Sequence, residues 1–535
     1  MNLLQRYRNL LAAIGIFCCG LFLFSIGLSQ QEIVGFESRF YLFALEMWRH
    51  GLSWFPMTYG SSYPDYPVMS TLMIYAAAKL TGHLDKFSAV LPSAIAAAVT
   101  LAVTYLIGAL HKPRWGLFAV FFMLLTNMFV MEARTISLDQ YVAMVTALAF
   151  YLVYSGELSR CYKRLWFIPL LFAVGFAFRG PIGLVIPAGV VCIFYLLDKN
   201  FKKFFAAGFA ALLTLVICSA VLLGIAYHVG GMSFVYDVIR MQVSGRLQDA
   251  VLPWYFYLYE SIGAYALSYP LAILIGLGLL THRKNVEQKF LMKLIGWALV
   301  ILIGLSIPSG KKIRYVLAFA PALALLSAYL FAFTPQQKYF RVLKKLLFIF
   351  LFFIPAFCFV AVWRLEYIAA LKNLQFAIPY LYLLIGLGIL QIVSLILRKS
   401  EIAVVGLTTL TMMFVYIMAV EPVNLALNNT RDFVVKLEQL RHLNHQALAF
   451  YRENPDGMPI KYVLNMPVEE QPVFITSQEG LEQFHTPAII VIDPDHFSQL
   501  PPALAAQFKV IDTGQVGHDV EQVIIRIPTG QQPSQ

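Results

Sequence analysis

The sequence predicts an α-helical polytopic membrane protein of about 13 transmembrane helices, with amphipathic juxtamembrane helices and a small C-terminal α/β domain outside the membrane. Three observations carry that prediction. The 535 residues are 59% hydrophobic and only 13% charged, with a mean hydropathy of +0.71, more apolar surface than a soluble core of this size buries. Apolar runs able to cross about 30 Å of hydrocarbon recur along the chain, and their length favours helices over the alternating strands of an outer-membrane barrel. The charge balance reverses near residue 421: the tail holds 14 acidic and 7 basic residues, the rest 15 acidic and 33 basic.

The expected spans are 10–30, 88–110, 116–131, 137–155, 164–178, 180–197, 204–229, 259–280, 290–306, 314–333, 345–363, 376–397 and 401–420. The first has no small-residue cleavage site behind it and is followed by more spans, so it reads as a retained helix. With the amino terminus inside, half of the 40 Lys and Arg fall in short inside loops, as the positive-inside tendency favours. The tail is then outside. This gives a transmembrane domain, 1–420, with outside loops at 31–87 and 230–258, and an outer domain, 421–535. All six cysteines lie in spans or an inside loop, so no disulfide framework is expected outside. The sequence has no C-x-x-C, no H-E-x-x-H and no glycine-rich phosphate loop ending in Lys-Ser/Thr. Metal, redox and nucleotide-hydrolysis classes therefore have no support, no cofactor is implied, and a divalent cation is left open. Nor does any feature suggest a nucleic-acid partner.

The outside segments are neither free loops nor spans. In "GFESRFYLFALEMWRH", helical spacing sets Phe36, Phe40, Phe43, Ala44 and Met47 on one arc and Ser38, Arg39, Glu46 and Arg49 opposite, an amphipathic helix suited to the interface. Glu37 falls inside the apolar arc, where a carboxylate is a functional candidate. The 230–258 segment ends in the aromatic cluster "PWYFYLYE", suited to the headgroup level. The tail opens with an amphipathic stretch, 428–450, and continues in short β-rich runs such as "AIIVIDPDH" and "EQVIIRIP". Its "HLNH", with His442 and His445, reads as a solvated helix face.

Basic residues gather on the outer side against the usual tendency. "IPSGKKIRYV" places Lys311, Lys312 and Arg314 at a helix mouth, either snorkelling into anionic headgroups or binding a phosphate. Arg179 stands alone in "FAFRGPIG", where Gly180 and Pro181 let the backbone turn beneath a ligand. On the same side lie Glu37, Asp65 in "SSYPDYPVM", and Glu132 and Asp139 in "MEARTISLDQY". Asp139 is also placed to cap its helix, and Glu132 to pair with Arg134. Acids and bases at the mouths of several spans make a site open to both bilayer and water.

The order of these motifs resembles the bacterial class C glycosyltransferases, the group that includes the 4-amino-4-deoxy-L-arabinose lipid A transferases and is related to the protein O-mannosyltransferases. The motifs are "ESRFYLFALEMWRHG", "YPDYPVMSTLMIYAAAKLTG", "VLPSAIAA", "ARTISLDQYVAM", "FAFRGPIGLVIP" and "SGKKIRYVLAFAPALALL". The resemblance implies multi-pass insertion in a bacterial inner membrane, a cytoplasmic amino terminus and a periplasmic C-terminal domain. It also implies transfer of a sugar, with inversion, from a polyprenyl (undecaprenyl) phosphate to lipid A, another glycan or a protein. Glu37 and Asp139 become the implied catalytic carboxylates, with Arg39, Asp65, Tyr66, Arg134, Arg179, Arg246, Lys311, Lys312, Arg314 and Tyr315 implied in substrate binding. Two departures bear on the sugar: the Asp preceding the family's first-loop Glu is Phe36 here, and the Lys of its Glu-Lys-Pro-Pro motif is Tyr66. A protein O-glycosyltransferase of the same fold and a lipid-linked sugar transporter are the alternatives. A transporter is expected to show inverted repeats and mid-membrane charges, and the sequence shows neither.

Overall fold

The computed structural model describes residues 3–244, 252–281, 287–333, 337–365, 377–396, 401–466, 470–517 and 519–527. They form two compact units: Met1–Ser29, Ser53–Pro56 and Tyr63–Ala419 make the first, and Gln30–Leu52, Met57–Ser62 and Val420–Gln535 the second. The first outside loop is thus divided. The helix Glu37–His50, read from sequence as part of the transmembrane domain, falls in the unit of the tail.

The first unit is a multi-pass helical bundle. Among the described residues eight helices are long and apolar enough to cross a membrane, or ten when two bent pairs each count as one span. The expected count of 13 rested on unbroken apolar runs, and several runs are not straight helices. Residues 259–280 form Phe256–Ala264 and Ser268–Thr281, bent by 117°. Residues 116–131 form Pro113–Leu124 and Asn127–Ala133, bent by 76°. Ile168–Arg179 has 12 residues, a rise of about 18 Å that falls short of the hydrocarbon thickness. Such broken elements free backbone groups that need partners or a polar cavity, so they concentrate where a site is built.

Close helix contact comes from small residues. A Cβ on Gly175 would overlap the carbonyl oxygen of Gly183, and one on Gly183 that of Gly175, so Ile168–Arg179 and Pro181–Leu197 touch backbone to backbone. Trp115 and Trp297 are fully buried, and their indole N–H groups donate to the carbonyls of Leu325 (2.7 Å) and Ala318 (3.0 Å). A capping box starts the Lys86–Ala109 helix: the Asp85 carboxylate accepts from Ser88 N (2.8 Å) and the Asp85 N–H donates to Ser88 Oγ (2.9 Å).

The second unit holds a five-stranded mixed sheet. With β1 (Met57–Thr58) paired to β2 (Ser61–Ser62) as a small hairpin, the larger sheet runs β3 (Ala447–Tyr451), β4 (Val473–Ile475), β5 (Ala488–Ile492), β6 (Phe508–Val516) and β7 (Asp519–Arg526) in the order β4-β3-β5-β7-β6. The β3, β4 and β5 pairings are parallel, and β7 is antiparallel to both β5 and β6. All five residues of β5 are buried, as a strand covered on both faces requires. Leu42 and Leu45 of the Glu37–His50 helix join Val434, Leu437 and Phe450 in one core cluster. Ser38 and Glu46, expected on the helix's exposed face, are buried, because this helix is covered on more than one side.

Candidate active site

The Asp139 carboxylate is the centre of the polar cluster in the first unit. The turn before it is tied down: Ser137 N donates to Ser93 Oγ (3.0 Å), and the Gln140 amide donates to the Phe129 carbonyl (3.0 Å). The helix Leu138–Ser159 begins with Ser137 at its N-cap, so Asp139 lies in the first turn rather than at the cap. Its side chain faces arginines instead. Oδ1 lies 3.4 Å from Arg179 Nε and Oδ2 3.4 Å from Arg314 Nε, and all three groups are largely or fully buried.

Each arginine has its own support. Arg179 ends its helix, and Gly180 follows at φ +64°, a left-handed conformation that glycine adopts without strain. The ring of Phe178 stacks on Tyr141 of the Asp139 helix, with centroids 4.1 Å apart. Tyr66 and Tyr315 present their rings to the Arg179 guanidinium at 5.8 and 5.1 Å from their centroids. Arg314 rides on the short 3₁₀ turn Ile313–Phe319, whose Ile313 carbonyl accepts from Tyr265 OH (3.1 Å) and whose Ala318 carbonyl accepts from Trp297. The Arg179 Nε has no hydrogen bond among the described residues despite its burial, since its approach to Asp139 is too long and oblique for one.

Two further carboxylates stand close by. Glu132, fully buried, accepts from Ser137 Oγ and lies within electrostatic range of Arg314, Asp139 and Arg179. Asp65 is likewise within range of Arg179, and its carbonyl accepts from the Gln242 side-chain amide. The cluster therefore sets two guanidinium groups among three acids in a poorly solvated place, where charge interactions are strong.

The structure brings together Asp65, Tyr66, Asp139, Arg179, Arg314 and Tyr315 from the sequence reading. Others have different work. Arg134, 1% exposed, donates to the carbonyls of Leu23 (2.7 Å) and Ile26 (2.9 Å), which fastens the end of the first helix. Lys311 donates to the Leu252 carbonyl (3.0 Å), and Lys312 is exposed at the start of the 3₁₀ turn. Glu37 and Arg39 belong to the second unit: Glu37 accepts from Val34 N (3.4 Å) and Arg39 donates to the Asp456 carbonyl (2.6 Å). Arg246 lies outside the described residues.

Sequence reasoning missed Gln242, Tyr257 and Tyr265. Gln242 lies against Gly180, where its Oε1 would stand 2.7 Å from an added Cβ, so it links the Asp65 and Arg179 segments. Tyr257 and Tyr265 lie within electrostatic range of Asp139. The signal for the two tyrosines was present: Tyr257, Ser261 and Tyr265 recur every four residues in "YFYLYESIGAY", a polar stripe along one helix face.

Residues 65–223 match the family described as dolichyl-phosphate-mannose-protein mannosyltransferase. The same residues hold Asp65, Tyr66, Asp139 and Arg179. ArnT from Cupriavidus metallidurans, in a crystal structure bound to undecaprenyl phosphate, superposes with a TM-score of 0.70 at 15% identity, over 97% of this chain and 99% of that one. Its apo structure gives a TM-score of 0.68 at 16% identity, over the same shares. The chain has the fold of ArnT. The likeness to ArnT is one of fold over almost the whole chain, and the family match in sequence covers part of the cluster, with Arg314 and Tyr315 beyond it. No curated protein matches the chain in sequence.

Proposed function

We propose that this protein is a glycosyltransferase of the bacterial inner membrane. It moves a sugar from a polyprenyl phosphate carrier of the undecaprenyl type to an acceptor on the periplasmic side, with lipid A or another envelope glycolipid foremost. The observation that carries this reading is the pair of buried guanidinium groups held 3.4 Å from the two oxygens of one carboxylate. Two guanidinium groups side by side are the arrangement that recognises a phosphate by charge-assisted hydrogen bonds. The mannosyltransferase match over 65–223 and the fold shared with ArnT, whose structure holds undecaprenyl phosphate, support the same chemistry.

In this reading Arg179 and Arg314 grip the donor phosphate, and Asp139 keeps their planes apart and oriented. The acceptor oxygen attacks the anomeric carbon from the face opposite the phosphate. The bond from that carbon to the phosphate oxygen breaks, and its electron pair leaves on the polyprenyl phosphate, whose growing charge the two arginines stabilise. The configuration inverts. An ionised acceptor needs no base; a hydroxyl acceptor gives its proton to a carboxylate. Both Asp139 oxygens already face guanidinium groups, so Asp139 orients the arginines rather than taking that proton. Asp65 and Tyr66 position the substrate.

The mannosyltransferase match favours one second reading, a protein O-glycosyltransferase whose acceptor is a Ser or Thr hydroxyl. A single experiment addresses both. The purified protein in lipid nanodiscs is given undecaprenyl-phosphate-linked hexose or pentose with either a lipid A precursor or a Ser/Thr peptide, and released undecaprenyl phosphate and glycosylated product are measured. Product with one acceptor, lost in Arg179→Ala, is the expected result. Turnover unaffected by Arg179→Ala overturns the proposal.

A further inference from the structure

The second unit contains a cavity of about 350 Å³ at the start of the Glu37–His50 helix, lined among others by Phe36, Ser38, Arg39, Met458, Lys461 and Asp519. Its charged groups balance, Arg39 and Lys461 against Asp456 and Asp519. The Lys461 ammonium lies 3.5 Å from the Asp519 carboxylate, and Arg39 donates to the Asp456 carbonyl. Lys461 is fixed in place by passing over Gly517, where an added Cβ would stand 2.5 Å from its Nζ. Ser38 is 2% exposed, and its Oγ has no hydrogen-bond partner among the described residues. A buried hydroxyl in that state costs free energy unless something occupies the cavity beside it. Phe36, Met458 and Ile460 supply apolar surface next to these groups.

We infer that this cavity is a sugar-binding site, and that it takes one ring of a neutral glycan. The paired charges leave no net charge to capture a phosphate, whereas a paired ammonium and carboxylate offer a donor and an acceptor side by side, the pattern that vicinal hydroxyls satisfy. The apolar wall suits the C–H face of a pyranose, and the volume lies at the lower end of small-ligand sites, where a single ring fits. The inference rests on the transferase reading, in which the acceptor carries a glycan.

Saturation-transfer NMR on the full protein in nanodiscs, with methyl hexopyranosides and methyl N-acetylhexosaminides as probes and glycerol as control, tests it. Ring protons of at least one glycoside are expected to receive saturation, falling at least threefold in Asp519→Ala and in Lys461→Ala. Both side chains reach solvent, so these variants keep the fold. Undecaprenyl phosphate binding, measured on the same samples, is expected to stay unchanged. Absent saturation transfer, or transfer equal in wild type and variants, overturns the sugar site whatever the donor result. Loss of donor binding in Arg179→Ala with no glycoside signal leaves the transferase reading standing and removes only the cavity's role.

Discussion

Among the described residues two buried arginine–carboxylate clusters stand out, one in each unit, and they are built differently. In the second unit Arg441 donates to both oxygens of Glu438 (2.7–3.1 Å), to the Gln446 carbonyl (3.0 Å) and to Glu470, and Glu438 also accepts from Tyr462 OH (3.1 Å). Every arm of that guanidinium is used. In the first unit Arg179 and Arg314 stand 3.4 Å from Asp139, and Arg179 Nε makes no hydrogen bond among the described residues. A saturated network fixes a fold, because nothing further can bind without breaking it. A buried guanidinium whose Nε makes no hydrogen bond is held less tightly and calls for another explanation than fold stability.

The contrast is sharpest in stability. Arg441→Ala leaves Glu438 buried and unpaired, so a loss of about 3–5 kcal/mol is expected in the second unit. Hydrogen exchange along β3 and β5 reads it, with donor affinity unchanged in the folded fraction. Equal destabilisation by Arg179→Ala would break the comparison.

Asp139→Asn separates positioning from binding. It removes a negative charge beside a phosphate seat, so undecaprenyl phosphate binding is expected to hold or tighten. Turnover is expected to fall roughly tenfold to a hundredfold as the two guanidinium groups lose their spacer, the range of a lost charge-assisted contact. Parallel loss of binding and turnover would make Asp139 merely structural. Gln242→Ala removes one hydrogen bond to the Asp65 segment and is expected to raise the donor KM by about fivefold, the equivalent of about 1 kcal/mol, with little change in kcat. An unchanged KM removes Gln242 from the site.

A separate prediction for the second unit concerns pH. Burial, reinforced by Glu453, Asp493 and Asp519 and opposed by Lys461, pushes the Glu521 carboxyl up to about 8 from its ordinary 4.5. Between those values the folded unit holds a proton that the unfolded chain has released, so stability falls as pH rises from about 4.5 to about 8. Glu521→Gln is expected to flatten that slope in thermal unfolding monitored between pH 5 and 8. A slope equal to wild type contradicts the assignment.

Much of this contrast was legible in the sequence. Arg179, Arg314 and Asp139 stood out as charges at helix mouths, which hydrocarbon makes costly without a purpose. Arg134 and Lys311 carried the same signal, yet their partners are backbone carbonyls, and spacing alone does not tell a carbonyl from a ligand. The break within 259–280 was hidden because an apolar run reads the same straight or bent by 117°. The assignment of the Glu37–His50 helix to the tail's unit depends on contacts 396 and 417 residues apart in the chain, Tyr59 OH to the Pro455 carbonyl (2.8 Å) and Arg39 to the Asp456 carbonyl. No local pattern encodes those.

The central claim is that Arg179 and Arg314 form one phosphate seat. Its most direct test is the affinity of the nanodisc-embedded protein for undecaprenyl phosphate in wild type, Arg179→Ala, Arg314→Ala and the double variant. A loss of roughly 10- to 100-fold is expected in each single variant, and a double variant that loses less than the two single losses combined marks two side chains acting on one phosphate. Wild-type affinity in folded single variants contradicts it and returns both arginines to a structural role around Asp139.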